Sequence, residues 1–216
     1  MIGTPRLHLR STGSTNAKAR ELAGKGAPHG TLVTAAEQTA GRGRQGRTWV
    51  TPPGTAIAAS LILRTFDDLL PLRAGLAVAD VAGDQARVKW PNDVLLDRRK
   101  VAGILVEARA PDWAVVGIGV NVTGVPPEVA DIATSLGRDD VEAALSELME
   151  ALDRRLAQPA PEILAALRER DALLGRRVRW SGGEGIAAGI DETGALLVDT
   201  ASGTIALSSG EVHLLA

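Results

Sequence analysis

The sequence lacks cysteine, and this absence excludes several kinds of site. Without thiols the chain has no disulfide cross-links, no thiolate nucleophile and no cysteine-ligated metal ion. The three histidines, His8, His29 and His213, lie far apart, and none has a second histidine at the spacing of metal ligands. A metal–histidine centre is therefore not expected.

Long apolar runs, aromatic residues and excess charge are also scarce. The longest apolar run, residues 56–63 interrupted by Ser60, is far shorter than the ~20 residues of a transmembrane helix. No apolar stretch of signal-peptide length opens the chain, which favours the cytoplasm and no membrane partner. Aromatic residues make up 2% and the formal net charge is −2, so nucleic acid is not an expected partner.

What the 216 residues do contain is typical of one sizeable core with a small second domain. A cap at Ser14 or Thr15 predicts a helix over 16–23, and apolar periodicity predicts helices over 69–86, 139–156 and 162–174. Short β-prone segments lie at 31–36, 55–63, 87–90, 94–96, 100–109 and 113–122. Five more follow at 177–180, 186–190, 195–199, 204–206 and 211–214, a pattern typical of a small barrel. We therefore predict an α/β (α+β) domain over 1–174 and a barrel over 175–216.

Residues 41–49, GRGRQGRTW, join two predicted strands. They match the dinucleotide-binding pattern G-x-G-x-x-G, but that pattern needs a helix at its third glycine, and Pro52 and Pro53 exclude one here. Three glycines allow close backbone approach, and three arginines can bind phosphate or carboxylate oxygens. This composition favours binding of an anion. It also predicts that the loop is flexible when empty and becomes ordered when the ligand binds. By itself it also fits a solvated loop or a nucleic-acid arm.

Three further segments carry polar residues at strand ends. KWPND, residues 89–93, places a cation, an amide and a carboxylate around a proline, which fits either a site or an exposed turn. Lys100 opens a strand that contains Gly103, where a ligand or another backbone can approach. Asn121 ends the glycine-bearing strand GIGVN. Each of these three also has an ordinary structural interpretation.

In this order, the segments resemble the biotin protein ligases. The resemblance is carried by Ser14-Thr15-Asn16, by Gln38 with GRGRQGRTW, by KWPNDVLL with KVAGILVE, and by GIGVNV, and it covers nearly the whole chain. The tandem of GRGRQGRTW and KWPND is its most specific part. It implies a catalytic domain like that of class II aminoacyl-tRNA synthetases, followed by an SH3-like barrel.

The resemblance implies a two-step reaction. Biotin and MgATP give biotinyl-5′-AMP and pyrophosphate, and a lysine of a biotin carboxyl carrier protein then takes the biotinyl group. The implied catalytic residues are Lys100, Arg42 and Arg44. The implied biotin-binding residues are Ser14, Thr15, Asn16, Gln38, Arg42, Gly43, Arg44, Lys100 and Gly103. The implied nucleotide-binding residues are Arg42, Arg44, Arg47, Trp49, Lys89, Asn92 and Asn121.

Several points stay open on the sequence. Trp49 fits either packing over the adenylate or a core position, and Asp93 fits support of Lys89 or Lys100, or a Mg²⁺ contact. Only thirteen residues precede Ser14, too few for the DNA-binding domain of some relatives, so no repressor function is expected. The oligomeric state can be that of a monomer or of a homodimer. The rival interpretations are a lipoate or octanoate ligase of the same fold and a nucleic-acid-binding module.

Overall fold

The computed structural model describes residues 2–215, which form a mixed α/β arrangement. The helices are α1 (Thr15–Gly24), α2 (Leu70–Ala82), α3 (Val141–Ala157) and α4 (Ala160–Glu169). The strands of the larger sheet are β1 (Arg6–Leu9), β2 (Leu32–Ala35), β3 (Ala56–Leu63), β4 (Arg87–Lys89), β5 (Asp93–Leu96), β6 (Arg99–Arg109) and β7 (Trp113–Asn121). Those of the smaller sheet are β8 (Arg177–Trp180), β9 (Gly183–Ile190), β10 (Leu196–Thr200), β11 (Gly203–Leu207) and β12 (His213–Leu214).

The larger sheet has the order β1-β2-β3-β7-β6-β5-β4, in which β1 and β2 are parallel and the other neighbours antiparallel. Strand β3, which neighbours the central strand β7, is buried along its whole length. Leu61 and Leu63 of β3 pack into the main apolar cluster with α2 and α3, whereas Ile62 points to the opposite face, among residues of α1. Helices therefore cover both faces of the sheet, and α1 lies on the face that carries the site.

The helix boundaries show where the sequence prediction held and where it was wrong. Of the two candidate caps, it is Ser14 that caps α1, since its hydroxyl accepts from the Ala17 N–H. The predicted extension of α2 to residue 86 is wrong, because Gly83 adopts a φ of 94° and ends the helix. Strand β1 was not predicted; it is four residues long and lies at a sheet edge.

The predicted helix over 162–174 is too long for a different reason. The chain leaves α4 after Glu169 and runs along the edge strand β4. The Val88 N–H donates to the Arg170 carbonyl at 2.8 Å, and the Ala172 N–H donates to the Val88 carbonyl at 3.0 Å. These bonds pair main-chain groups of the edge strand β4. A longer helix would leave those groups without hydrogen-bond partners.

The smaller sheet, ordered β11-β10-β9-β8-β12, packs against the larger domain through a buried contact. The Trp90 indole N–H donates to the Gly194 carbonyl at 3.0 Å. A Cβ at Gly194 would lie 2.5 Å from a methyl carbon of Leu69, so the backbone of this turn touches α2 directly. Among the described residues, no helix is both long and apolar enough to cross a membrane.

We predict that Trp90→Phe lowers the free energy of unfolding by about 1–2 kcal/mol, because it leaves the buried Gly194 carbonyl without its donor. Urea unfolding monitored by circular dichroism measures this change. Trp180→Phe, at a partly buried position on β8, is the matched control and should cost about 0.5 kcal/mol. Equal stability losses for the two variants would contradict the assigned role of Trp90.

Candidate functional site

A cavity of about 900 Å³, measured with its open mouth, lies on the α1 face of the larger sheet. With the exception of Asn121, every residue that the sequence assigned to a site lines it. These residues are Ser14, Thr15, Asn16, Gln38, Arg42, Gly43, Arg44, Arg47, Trp49, Lys89, Asn92, Asp93, Lys100 and Gly103. Four separate stretches of chain thus meet in one pocket.

Three small residues in neighbouring strands form the floor of the pocket. They are Ala58 of β3, Gly119 of β7 and Gly103 of β6, which lie side by side in register, and Asp93 of β5 continues the row. A Cβ at Gly119 would lie 2.6 Å from the Trp49 ring, and a Cβ at Gly103 would lie 3.4 Å from it. The indole therefore rests directly on the backbone of two strands, and larger side chains in this row would displace it.

One end of the pocket is neutral and rich in hydrogen-bonding groups. Thr15 is 4% exposed, and its backbone N–H donates to Gln38 Oε1 at 2.8 Å. The hydroxyl oxygen of Thr15 lies 3.1 Å from the same Gln38 oxygen. Such an end suits a neutral, compact, polar ring, because buried amide-like groups need matched partners.

The other end carries an ion pair and the half-buried ammonium of Lys89. Lys100 Nζ lies 2.7 Å from Asp93 Oδ1 and 5.7 Å from the centroid of the Trp49 ring. Burial lowers the pKa of the Lys89 ammonium below its ordinary value, and the charge of Lys100 lowers it further. The negative charge of Asp93 opposes this shift. A bound anion would relieve the repulsion between the two lysines.

The loop of residues 41–49 closes over the pocket with a defined backbone. The Gly43 N–H donates to the Arg47 carbonyl at 2.7 Å, and the Trp49 N–H donates to the Gly41 carbonyl at 3.0 Å. A Cβ at Gly41 would lie 2.3 Å from the Trp49 carbonyl oxygen, so this position admits only glycine without rearrangement. Between these bonds the chain makes a short 3₁₀ turn, in which Gln45 has a φ of 53°.

Two arginines of the loop bind the smaller domain. Arg44 donates to Asn92 Oδ1 and to the Gly210 carbonyl, each at 3.0 Å, and Arg47 forms an ion pair with Glu211. Glu211 and its neighbour Val212 also line the cavity. No motif of the sequence indicated Glu211 or Val212, because both residues follow all of the motifs. Whether the loop orders only on ligand binding stays a prediction.

Asn121 lies apart from the pocket lining. It is 6% exposed, and its amide donates to the Thr134 carbonyl at 3.0 Å, beyond the end of β7. Thr134 belongs to the segment that flanks Lys100, because the Lys100 N–H donates to the Ile132 carbonyl and the Thr134 N–H to the Lys100 carbonyl. Asn121 thus holds the segment beside Lys100, just beyond the part of β7 that lines the cavity.

The charges of the lining indicate an anionic ligand. Arg42, Arg44, Arg47, Lys89 and Lys100 supply five basic groups, against two carboxylates from Asp93 and Glu211. Arginine binds phosphate and carboxylate oxygens through paired donors, and lysine acts as a compact charge. Within residues 2–215, no group of three His, Asp or Glu side chains is placed to hold a metal ion. The pocket therefore suits a phosphate-bearing ligand with a neutral polar end.

We predict that Glu211→Gln increases tryptic cleavage of the loop about three- to fivefold, because the Arg47–Glu211 pair is partly exposed and contributes up to about 1 kcal/mol. Limited proteolysis followed by mass spectrometry measures cleavage after Arg42, Arg44 and Arg47. The matched control is Glu184→Gln, which weakens exposed ion pairs to Arg177 and Arg179 on the smaller sheet. The prediction is wrong if both variants cleave in the loop at the wild-type rate.

Comparison with known proteins agrees with this geometry. Residues 9–121 match the biotin/lipoate A/B protein ligase family, and residues 173–215 match the biotin protein ligase C-terminal domain. The biotin–[acetyl-CoA-carboxylase] ligase of Mycobacterium tuberculosis is 39% identical over 95% of this chain and 88% of its own length. That of Paracoccus denitrificans is 36% identical over 94% of this chain and 98% of its own.

A solved structure shares the architecture. The biotin protein ligase of Aquifex aeolicus, in complex with biotin and ATP, superposes with a TM-score of 0.85 at 30% identity, over 98% of this chain and 99% of that one. The mixed α/β fold, the pocket and the matches in both parts of the chain agree with one another. The chain belongs to the biotin/lipoate A/B protein ligase family and, within it, to the biotin protein ligases.

Proposed function

We propose that the protein is a biotin–[acetyl-CoA-carboxylase] ligase that converts biotin and ATP to biotinyl-5′-AMP and then transfers biotin to a carrier-protein lysine. The observation that carries this proposal is the difference in polarity between the two ends of this cavity. Its neutral end around Thr15 and Gln38 suits the ureido ring of biotin, and its cationic end suits the phosphates of ATP. The two ends meet at Lys100, where the carboxylate and the α-phosphate react.

In the first step, a carboxylate oxygen of biotin attacks the α-phosphorus of ATP and pyrophosphate leaves. Both reactants are anions, so repulsion and alignment form most of the barrier. Lys100, positioned by Asp93, places a positive charge between them. In the second step, the uncharged amine of the acceptor lysine attacks the carbonyl carbon of the adenylate, and AMP leaves. Aligned binding groups supply this chemistry without a covalent enzyme intermediate.

At the neutral end, Ser14, Thr15 and Gln38 would hold the ureido ring. Asn16 would support them from behind, since its own amide is bonded inside the protein. Gly103 would leave space for the biotin chain beside Lys100.

The nucleotide would occupy the region beneath the loop. Arg42, Gly43 and Arg44 would close over the adenylate, and Trp49, lying on the glycine floor, would pack against it. Lys89 and Arg47 would bind phosphate oxygens. Asn92 would act through Arg44, which it holds at 3.0 Å. Asn121 would act through the segment beside Lys100.

Magnesium would enter with ATP as part of the substrate. Mg²⁺ is commonly held by one or two carboxylates and by substrate phosphates. Asp93 and Glu211 are the carboxylates in the pocket lining, and each is paired with a basic side chain. We propose that the phosphate oxygens of ATP supply most of the ligands to Mg²⁺, because both carboxylates are already paired.

For the domains, we propose a catalytic unit over 1–174, related to class II aminoacyl-tRNA synthetases, and an SH3-like barrel over 175–216. The five-stranded smaller sheet supports the barrel assignment. Its contribution of Glu211 and Val212 supports a role in completing the nucleotide pocket. The acceptor would be a biotin carboxyl carrier protein, with the reaction taking place in the cytoplasm.

The deciding experiment mixes the protein with α-labelled ATP, Mg²⁺ and biotin, then adds a biotin carrier domain. We expect a labelled adenylate with biotin, and transfer of biotin to the carrier. Formation of an adenylate with lipoate or octanoate, and none with biotin, would favour the rival ligase. Binding of RNA or DNA with a steep salt dependence, without adenylate formation, would favour a nucleic-acid module.

We predict that Lys100→Ala slows adenylate formation about 100-fold or more, because the charge between the two anions is lost. Single-turnover measurement of labelled biotinyl-5′-AMP records the effect. Lys18→Ala, which removes an exposed lysine of α1 paired with Glu21, is the control and should keep wild-type turnover. Wild-type turnover by Lys100→Ala would remove this lysine from the mechanism.

We also predict that MgATP binding takes up a proton at alkaline pH, below the pH at which an ordinary lysine titrates. The pKa of Lys89 is lowered in the free protein, so a fraction of the protein molecules carries a neutral Lys89 at this pH. Bound phosphates raise the pKa again, and Lys89 then takes up a proton. ATP affinity should therefore fall as pH rises through the lowered pKa. Calorimetry in buffers of different ionisation enthalpy measures the uptake. Lys89→Arg should abolish it; unchanged uptake would assign the proton to another group.

A further inference from the structure

The two lysines of the pocket lining stand in different surroundings. Lys100 Nζ lies 2.7 Å from Asp93 Oδ1, so an ion pair holds this ammonium charged. Glu211, the second carboxylate of the lining, is paired with Arg47. Lys89 forms no ion pair with any carboxylate of residues 2–215. Both carboxylates of the lining are thus used by other cations, and Lys89 is the pocket amine that lacks such a partner in this part of the chain.

The register of the strands places the Lys89 side chain on the pocket side of the sheet. Lys89 of β4 faces Asp93 of β5, and Asp93 faces Gly103 of β6. Facing residues of neighbouring strands carry their side chains on the same side of a sheet. Val88 and Trp90, on either side of Lys89 in the chain, are 1% and 3% exposed and lie in the core. Lys89 therefore adds a basic group to the row that forms the pocket floor.

Its surroundings make Lys89 easier to deprotonate than an ordinary lysine. Burial lowers the pKa of its ammonium. Of the four charged groups around it, Asp93 and Glu211 raise this pKa, whereas Lys100 and Arg47 lower it. Bound ATP adds negative charge, but pyrophosphate takes most of that charge away when it leaves after the first step. The pKa of Lys89 then returns towards its lowered value.

The second step of the proposed reaction needs a group that removes a proton. A lysine side chain attacks only as the uncharged amine, and at neutral pH fewer than about one in a thousand is uncharged. The pocket lining contains no histidine among residues 2–215, its carboxylates are paired, and arginine does not lose its proton in proteins. Lys100 is held charged by Asp93. Lys89 is the remaining group of the lining that can exist as a free base.

We propose that Lys89 is a further catalytic residue, which accepts the proton of the acceptor lysine's ammonium before that amine attacks the bound adenylate. This inference rests on the proposed function and divides the two pocket lysines by role. Lys100 stays charged and neutralises the reacting anions, whereas Lys89 binds phosphate in the first step and acts as the base in the second. Pairs of titratable groups in contrasting surroundings commonly divide the work in this way.

The transfer moves one proton to the enzyme and one to water. The neutral Lys89 amine takes a proton from the acceptor ammonium and becomes charged. The lone pair of the freed acceptor nitrogen then forms the C–N bond to the biotinyl carbonyl carbon. The C–O bond to the phosphate breaks, and its electron pair leaves with AMP. The amide nitrogen loses its second proton to water, and Lys89 releases its extra proton before the next cycle.

The test starts from protein to which biotinyl-5′-AMP has been added, so that the first step does not enter the measurement. Single-turnover rates are compared for three nucleophiles: a biotin carrier domain, ethylamine and hydroxylamine. The carrier lysine and ethylamine are charged at neutral pH, whereas hydroxylamine is already uncharged and needs no base. In Lys89→Arg a cation remains, but it cannot accept a proton. The rates with the carrier and with ethylamine should fall at least about tenfold relative to the rate with hydroxylamine.

Ethylamine separates loss of the base from damage to carrier docking, because it is nearly as small as hydroxylamine. A loss confined to the carrier would assign Lys89 to docking, and an equal loss with all three nucleophiles would assign it to binding of the adenylate. Either outcome would overturn the proposal, as would unchanged rates. Lys25→Arg, at an exposed lysine paired with Glu21, is the matched control and should leave all three rates unchanged.

The pH dependence of the wild type supplies a measurement that needs no variant. Because Lys89 must be neutral to accept a proton, the rate of transfer to the carrier should rise with pH through the lowered pKa of Lys89. It should level off below the pH at which an ordinary lysine titrates. A rate that rises until the acceptor lysine itself is titrated would overturn the proposal.

The same measurements distinguish failure of this inference from failure of the proposed function. Absence of any transfer from biotinyl-5′-AMP to the carrier in the wild type would remove both. Normal transfer by the wild type, with unchanged ratios between the nucleophiles in Lys89→Arg, would remove this inference alone.

Discussion

The site depends on a close approach between side chains and the bare backbone of the central strands. Ala58, Gly119 and Gly103 stand next to one another across β3, β7 and β6, and the floor they form has no side chain larger than a methyl group. This allows the Trp49 ring to lie directly on the sheet, with Lys100 beside it. The loop, the ion pair of Lys100 with Asp93 and the cavity above them all take their positions from this row.

Most of the elements were predictable from the sequence, and all but one of the site residues assigned from it line the pocket, for a physical reason. Each motif lies on a short local structure that its own residues determine: Ser14 caps a helix, glycines shape the loop, and Pro91 interrupts the chain between β4 and β5. Such local preferences can be read from neighbouring residues. The resemblance to biotin protein ligases then indicated that the separate motifs meet, which their spacing alone did not.

What the sequence did not predict depends on contacts between distant parts of the chain. The pairing of β3 with β7 sets the glycine floor, and the register of two strands so far apart leaves no local signal. Glu211 reaches the loop only because the smaller sheet packs against Trp90. In the sequence, Ser60 only interrupts an apolar run. Because a buried hydroxyl needs a hydrogen-bond partner, a serine in a buried strand could have indicated a polar contact there. Asn121 lies two residues after Gly119 on β7, and its assignment to the nucleotide stays a prediction.

The anchoring of the loop to Gly210 and Glu211 also bears on the order in which the protein is made. During translation, Arg44 and Arg47 leave the ribosome long before the residues that they bind, Gly210 and Glu211, have been synthesised. During that interval the sheet and its glycine floor can form, but the cover of the pocket has no attachment. The binding site is thus completed only near the end of synthesis, so a nascent chain stalled before residue 210 would hold its ligands poorly.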